Sequence, residues 1–141
     1  MIRIHTESDL DEIINIWYQA SSLAHPFLES PFVEKVKKDM TALYIPNSKT
    51  WVYEENNKPI GFISMIDNEI GGLFVLPNHH SKGIGTKLVN FIKELHPVME
   101  VEVFQKNKIG RSFYNKYGFK EIKQYYHTDS NNEVLRLAFK A

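Results

Sequence analysis

The stretch from Leu73 to Leu95 constrains the fold more than any other part of this chain. An apolar strand leads into a turn and then an amphipathic helix, and the turn reads His80-Ser81-Lys82-Gly83-Ile84-Gly85-Thr86. The first amide N–H groups of a helix lack intrahelical partners, and the helix dipole places partial positive charge beside them. The two glycines let the backbone approach a ligand closely. The pattern indicates a pocket for a pyrophosphate-bearing cofactor.

The composition favours one globular domain over residues 1–141. Lysine plus arginine equals aspartate plus glutamate at 17 each, so the charge gives no support for a nucleic-acid or membrane-surface binder. The absence of cysteine excludes disulfides, thiolate metal sites and a cysteine nucleophile. Neither a signal-peptide core nor a bilayer-spanning stretch is visible, and a cytoplasmic location is therefore expected by default.

Alternation and capping signals predict the element order β-α-α-β-β-β-α-β-α-β-β. Thr6 and Asp9 have the spacing of a capping box before the first helix, and Ser30 with Pro31 fits the N-cap and first position of the second. The later strands are predicted at 49–55, 60–66, 69–76, 98–104, 120–127 and 133–139, and the later helices at 83–95 and 109–117. This order predicts an α/β (α+β) fold, in which four helices flank a mixed, mostly antiparallel twisted sheet of about seven strands.

Two ordered motifs make the chain resemble the GNAT superfamily of acyl-CoA-dependent N-acyltransferases. The first is a strand, then Arg/Gln-x-x-Gly-x-Gly/Ala, then a helix, and it reads here as the turn from His80 to Gly85. The second reads here as Asn107, Gly110, Phe113-Tyr114 and Gly118-Phe119. The resemblance covers nearly the whole chain and extends to small bacterial YjaB-like members, including the segment His25-Pro26-Phe27-Leu28.

His80 departs from the family pattern, which has arginine or glutamine at this position. In the family, most pyrophosphate contacts of this motif come from backbone N–H groups, which a histidine leaves undisturbed. Because histidine titrates near neutrality, we expect weaker or more pH-dependent cofactor binding rather than its loss.

The resemblance implies acetyl-CoA as co-substrate, with direct attack by the acceptor amine in a ternary complex. It implies that Asn107 bonds the pantetheine arm in addition to capping a helix, and that Phe74 and Val75 offer backbone groups in a gap between two parallel strands. The cofactor-binding residues that it implies are Leu73, Phe74, Val75, His80, Ser81, Lys82, Gly83, Ile84, Gly85, Thr86, Asn107 and Tyr114.

Acyl transfer needs a neutral amine and a protonated leaving group, whereas a free alkylamine has a pKa near about 10. Glu69 is the predicted general base, because alternation places it on one face with Gly71, Leu73 and Val75, and because histone-acetylating members carry a base glutamate there. A solvated acid at a strand start is the alternative. The resemblance implies that Tyr114 protonates the departing thiolate, and simple aromatic packing is its alternative.

Four residues are predicted to contact or shape the site of the acceptor, a primary amine on a small molecule, peptide or protein. His25 and Phe27 lie in a loop that overhangs the acceptor pocket in the family, Gly71 leaves room beside the strand, and Tyr125 is a wall residue. A capping or packing role for His25 is the alternative. No metal site is predicted, because His79 and His80 lack a spaced third ligand.

A non-catalytic module that binds or senses acyl-CoA is the competing function. The sequence lacks the Gly-Lys-Ser/Thr of a P-loop and the further glycine of a dinucleotide-binding unit. A monomer and a homodimer both stay open, since strand edges near the C-terminus could pair two subunits.

Overall fold

The computed structural model describes residues 1–141 and contains seven strands and four helices in the predicted order. The elements are β1 Ile2–Ile4, α1 Leu10–Ala24, α2 Ser30–Asp39, β2 Lys49–Glu55, β3 Lys58–Ile66, β4 Glu69–Val75, α3 Ile84–Leu95, β5 Val98–Phe104, α4 Lys108–Tyr117, β6 Lys120–His127 and β7 Asn132–Lys140. A π-helical turn, Met40–Tyr44, extends α2 beyond its predicted end. None of the helices combines the length and the apolar character needed to cross a membrane.

The strands form one mixed sheet in the order β1-β2-β3-β4-β5-β7-β6. Every neighbouring pair is antiparallel except β4 and β5, which confirms the predicted fold class. The parallel pairing of β4 with β5 is limited to Glu69 with Glu100 and Ile70 with Val101. Beyond these two pairs the strands diverge, and a gap opens in the middle of the sheet.

The two faces of the sheet carry separate hydrophobic cores. On one face α3 and α4 bury Leu88, Ile92 and Tyr114 against the strands. On the other face α1 buries Ile13 and Trp17, together with the π-helical turn. Burying a leucine or isoleucine side chain fully contributes about 1.5–3 kcal/mol each. The gap between β4 and β5 therefore lies between two firmly packed helical layers.

Local capping follows the sequence at two of the three predicted N-caps. The Thr6 backbone N–H donates to Asp9 at 2.7 Å, and the Asn107 side chain accepts from the Gly110 N–H at 2.8 Å. Gly118 ends α4 in the left-handed conformation, with φ of +118°. The prediction for Ser30 was wrong by one position, because Glu29 is the N-cap residue and Ser30 is already helical.

A β-bulge at Gly71 changes which face of the sheet Glu69 occupies. Ser64 pairs with Gly72 and Met65 pairs with Ile70, so Gly71 has no partner on β3. An unpaired residue of this kind breaks the two-residue alternation, because it shifts every side chain before it to the other face. Ile70 therefore shares the α3–α4 core with Leu73 and Val75. The predicted common face for Glu69 and Leu73 was wrong.

Candidate active site

The turn before α3 presents a row of free backbone donors. The N–H groups of residues 81–86 bond to no protein group, and Lys87 is the first to donate, to the Gly83 carbonyl at 3.0 Å. Ser81 and Gly83 both adopt left-handed conformations, with φ of +66° and +78°. Successive N–H groups in such a turn form a concavity suited to an anion, and the dipole of α3 adds positive potential. The turn therefore has the chemistry needed to hold a diphosphate.

The two glycines of this turn serve different purposes. A Cβ on Gly83 would meet no atom within 4 Å, so the left-handed φ is what requires glycine there. A Cβ on Gly85 would lie 3.2 Å from the Phe113 ring, so Gly85 lets α4 pack closely against the start of α3. The expectation that both glycines make room for a ligand thus omitted the packing role of Gly85.

The backbone of β4 faces the gap through Leu73 and Val75. The Leu76 N–H donates to Ile60 at 2.9 Å, and with Phe62 opposite Phe74 the antiparallel pattern turns the Phe74 N–H and C=O toward β3. The same pattern turns the N–H and C=O of Leu73 and Val75 toward β5, where pairing has ended. The predicted backbone role is thus available to Leu73 and Val75, whereas Phe74 contributes its side chain.

His80 ties the turn to this strand. Its Nε2 lies 2.8 Å from the Val75 carbonyl oxygen, which can only accept, so Nε2 carries the proton. Neutral and protonated forms of His80 can both make this bond. Arginine and glutamine, the residues expected from the family pattern, are also side-chain donors.

A cavity of about 810 Å³ joins the turn, the gap and the loop after α1. Most of the predicted site residues line it, and they are His25, Gly71, Leu73, Phe74, Val75, His80, Ser81, Gly83, Ile84, Gly85, Thr86, Asn107 and Tyr114. Lys82, Phe27, Tyr125 and Glu69 do not line it. Phe27 packs against the lining residue Phe104, with ring centroids 5.6 Å apart.

The structure leaves Glu69 outside the cavity. Its carboxylate lies 3.4 Å from the Arg136 guanidinium, which also contacts Glu100 at 3.1 Å. The bulge at Gly71 turns the Glu69 side chain away from the face predicted for it and onto the face that carries Glu100 and Arg136. The role of Glu69 as base stays a prediction, and the geometry does not favour it.

Glu102, like Asp39 and Asp129, is a carboxylate that does line the cavity. It alternates on β5 with Val101 and Val103, which are buried in the α3–α4 core, so its side chain lies on the opposite face of the sheet. The Tyr125 hydroxyl donates to the Glu102 carboxylate, so Tyr125 acts one contact away from the cavity. Sequence reasoning missed Glu102, although an acid between two buried valines is a visible signal.

Tyr114 combines deep burial with a free hydroxyl. The residue is 7% exposed, its ring packs between Phe113 and Phe119, and it lines the cavity. Burial raises the pKa of the hydroxyl above that of a free phenol, so Tyr114 stays protonated at neutral pH. Its proton is therefore available as a hydrogen-bond donor toward the cavity.

His25 and Asn107 meet in the cavity wall, where α1 and α4 approach each other. The His25 Nε2 lies 3.0 Å from the Asn107 Nδ2, and the His25 Nδ1 lies 2.9 Å from the Ser21 hydroxyl oxygen. The ring also packs edge-on against Phe104, at a centroid distance of 5.0 Å. Burial lowers the pKa of His25 to about 4, so the ring is neutral at pH 7.

Another part of the cavity wall is aromatic and carries an acid. The rings of Phe32 and Phe104 lie 6.1 and 6.3 Å from the ring of His127, and Asp129 lines the same cavity. The walls here suit an aliphatic chain, and the carboxylates of Asp129 and Glu102 suit a cationic amine. No three histidine or acidic side chains are grouped closely enough to hold a metal ion.

A family model described as "Acetyltransferase (GNAT) domain" matches residues 46–121. The chain is 32% identical to the peptidyl-lysine N-acetyltransferase YiaC of Escherichia coli over 84% of this chain and 82% of that protein. It is 27% identical to the peptidyl-lysine N-acetyltransferase YjaB of the same bacterium over 84% of this chain and 81% of YjaB.

The solution structure of apo-form YjaB from Escherichia coli has a TM-score of 0.88 at 25% identity and covers 100% of this chain and 98% of that one. The PaiA N-acetyltransferase from Thermoplasma acidophilum, solved in complex with coenzyme A, has a TM-score of 0.75 at 20% identity and covers 96% of each chain. These likenesses confirm the expected fold and the expected similarity to YjaB-like proteins.

Proposed function

The chain belongs to the GNAT family of acetyltransferases, and from that premise we propose that it transfers an acetyl group from acetyl-CoA to a lysine side chain in a peptide or protein. One observation carries the proposal: the turn of residues 81–86 has free N–H groups, and all of its residues except Lys82 line the same cavity as Tyr114 and Glu102. The similarity to YiaC and YjaB, both peptidyl-lysine N-acetyltransferases, supports this class of acceptor.

The residues of this chain fit coenzyme A at two points. The turn from Ser81 to Thr86 offers N–H donors for the diphosphate. The N–H groups of Leu73 and Val75, with the Leu73 carbonyl, offer peptide-like partners for the pantetheine arm along the gap. When bound, acetyl-CoA supplies the activated acyl group that the amine attacks.

We assign Tyr114 as the general acid. Its hydroxyl proton has no partner within the protein, and burial keeps the group protonated across the physiological pH range. A donor held in a water-poor cavity stabilises developing negative charge on a leaving group more strongly than the same donor would in water. Removing such a donor usually lowers kcat by about 10²–10³-fold.

We assign Glu102 as the group that accepts the proton of the incoming ammonium, directly or through a water molecule. It is exposed to the cavity, and the Tyr125 hydroxyl donates to its carboxylate. Glu69, by contrast, is outside the cavity and engaged by Arg136. A matched pair of substitutions at these two acids separates the assignments.

The aromatic wall supports lysine as the acceptor. Phe32, Phe104 and His127 offer apolar surface along which an aliphatic stem can lie, and Asp129 and Glu102 offer negative charge to an ammonium group. A lysine side chain joins these two properties, because four methylene groups carry a terminal ammonium.

The experiment follows free thiol released from acetyl-CoA, with mass spectrometry to locate the acetyl group. The acceptors are an N-terminally blocked peptide with one lysine, the same peptide with arginine, an unblocked peptide without lysine, and a small diamine. We expect thiol release and Nε-acetylation with the first peptide alone. Release with only the unblocked peptide or the diamine would contradict the lysine assignment.

Glu102→Gln should lower kcat/KM at pH 7 by about 10²-fold, within the range for losing a general base. Glu69→Gln, its matched control, should stay within about threefold of the parent protein, since its partner Arg136 is outside the cavity. If the losses were reversed, Glu69 would be the base after all. Binding of coenzyme A without thiol release for any amine would instead support the non-catalytic module.

A further inference from the structure

A single chain of contacts joins the loop after α1 to the first turn of α4. The Ser21 hydroxyl lies 2.9 Å from the His25 Nδ1, and the His25 Nε2 lies 3.0 Å from the Asn107 Nδ2. The Asn107 Oδ1 then accepts from the Gly110 N–H at 2.8 Å. Ser21 and Asn107 are buried, and His25 and Asn107 both line the cavity.

The contact between Asn107 and Gly110 determines where the protons lie in this series of hydrogen bonds. A backbone N–H can only donate, so the Asn107 atom facing Gly110 is the oxygen, and the atom facing His25 is the amide nitrogen. The amide nitrogen also donates, so the His25 Nε2 must accept and carries no proton. In neutral histidine the proton is then on Nδ1, which donates to the Ser21 hydroxyl oxygen.

This arrangement leaves Asn107 one free donor. Its amide nitrogen has two N–H bonds, of which His25 takes one, and its oxygen is committed to Gly110. The second N–H belongs to a residue that lines the cavity. Both ring nitrogens of His25 are engaged, so the ring has no free lone pair with which to accept a proton from an amine.

We propose that His25 is a positioning residue, which holds the Asn107 carboxamide in one orientation and so directs its free N–H at the bound cofactor. The inference rests on the proposed function, because coenzyme A is the ligand in question. The contact joins the end of α1, where His25 lies, to the start of α4, where Asn107 is the N-cap residue.

Gly110 gives an independent way to disturb the same carboxamide. A Cβ at this position would lie 2.5 Å from the Asn107 Nδ2 and 3.0 Å from its Cγ, with no other residue among the nearest atoms. Alanine ordinarily favours a helix over glycine. Gly110→Ala should therefore displace the Asn107 side chain while leaving the α4 backbone intact.

The first measurement is the tautomer of His25 by long-range ¹H–¹⁵N correlation spectra of the ligand-free protein, with His25→Leu to assign its signals. At pH 7 we expect the Nδ1–H tautomer, which is the minor form of free histidine. In Asn107→Ala and Gly110→Ala this preference should be lost. An Nε2–H tautomer in the parent protein, or a tautomer indifferent to both substitutions, would overturn the proposal.

The second measurement is calorimetric titration with coenzyme A. His25→Leu keeps apolar contact with Phe104 but removes the acceptor, and the loss of one well-placed hydrogen bond should weaken binding about five- to tenfold. Gly110→Ala should weaken it similarly. His25→Gln restores an acceptor for the Asn107 Nδ2, and its affinity should return to within about twofold.

Equal affinity of His25→Leu and the parent protein, or equal losses in the leucine and glutamine variants, would reject the positioning role. If the parent protein itself bound no coenzyme A, the proposed function would fail. The tautomer measurement would in that case still decide the geometry of the His25–Asn107 contact.

Discussion

Lowering the pH from 7.5 to 5.0 should destabilise this protein through His25. In the folded state the ring is shielded by Phe27 and Phe104, and burial lowers its pKa from 6.5 to about 4. In the unfolded chain the pKa returns to about 6.5. Between these two values the unfolded state binds the proton more readily, so falling pH favours unfolding.

The magnitude follows from the two pKa values. The full effect is about 3.4 kcal/mol and is reached only below pH 4, because each unit of pKa difference corresponds to about 1.4 kcal/mol. At pH 5.0 the linkage relation gives about 2 kcal/mol, and at pH 7.5 it gives less than about 0.1 kcal/mol. Asp9 works in the same sense but at lower pH, because its bond to Arg3 lowers its pKa to about 2, and its stabilising contribution is lost only below about pH 3.8.

Urea unfolding followed by the fluorescence of Trp17 and Trp51 measures this effect at both pH values. The parent protein should lose about 2 kcal/mol more between pH 7.5 and 5.0 than His25→Gln, which has no titratable group at this position. His96→Gln, at the end of α3 and outside the cavity, is the control and should behave like the parent protein. Equal losses in the parent protein and His25→Gln would refute the reasoning.

The remaining predictions concern the cavity. Tyr114→Phe should lower kcat about 10²-fold with coenzyme A affinity nearly unchanged, as measured by thiol release and calorimetry; an unchanged kcat would remove its acid role. His80→Ala should weaken coenzyme A binding about two- to tenfold while His80→Gln restores it, because glutamine also has a donor for the Val75 carbonyl; equal affinities would argue against this bond. Gly83→Ala should cost about 1 kcal/mol in urea unfolding through its left-handed φ alone, with a cost near zero contradicting the strain.

Regular elements and their ends could be predicted closely from the sequence. The strands Lys49–Glu55, Val98–Phe104 and Lys120–His127 have the predicted bounds. Alternation and capping are local properties, and the same residues that show them in the sequence make the contacts in the fold. The Asn107 cap is an example, because its partner Gly110 is three positions away.

The position of the predicted base could not be found in this way. With two adjacent glycines, Gly71 and Gly72, the strand can either pair regularly or form a bulge. Its pairing with β3 decides between these two arrangements. One unpaired residue moved Glu69 to the other face, beside Arg136. The alternation of side chains every two residues cannot reveal one extra residue in a strand unless the pairing with the partner strand is known.

The acceptor side of the cavity depends still more on distant parts of the chain. Residues 82 positions apart meet in the contact between His25 and Asn107, and Tyr125 reaches Glu102 across β7, the strand that lies between their own. Each of these residues has an ordinary local role available, which is why sequence alone left capping or packing open for His25 and never singled out Glu102. The cavity at the gap between β4 and β5 is lined by side chains from both helical layers. The residues proposed to act there therefore meet through contacts between distant parts of the chain, which local sequence patterns do not describe.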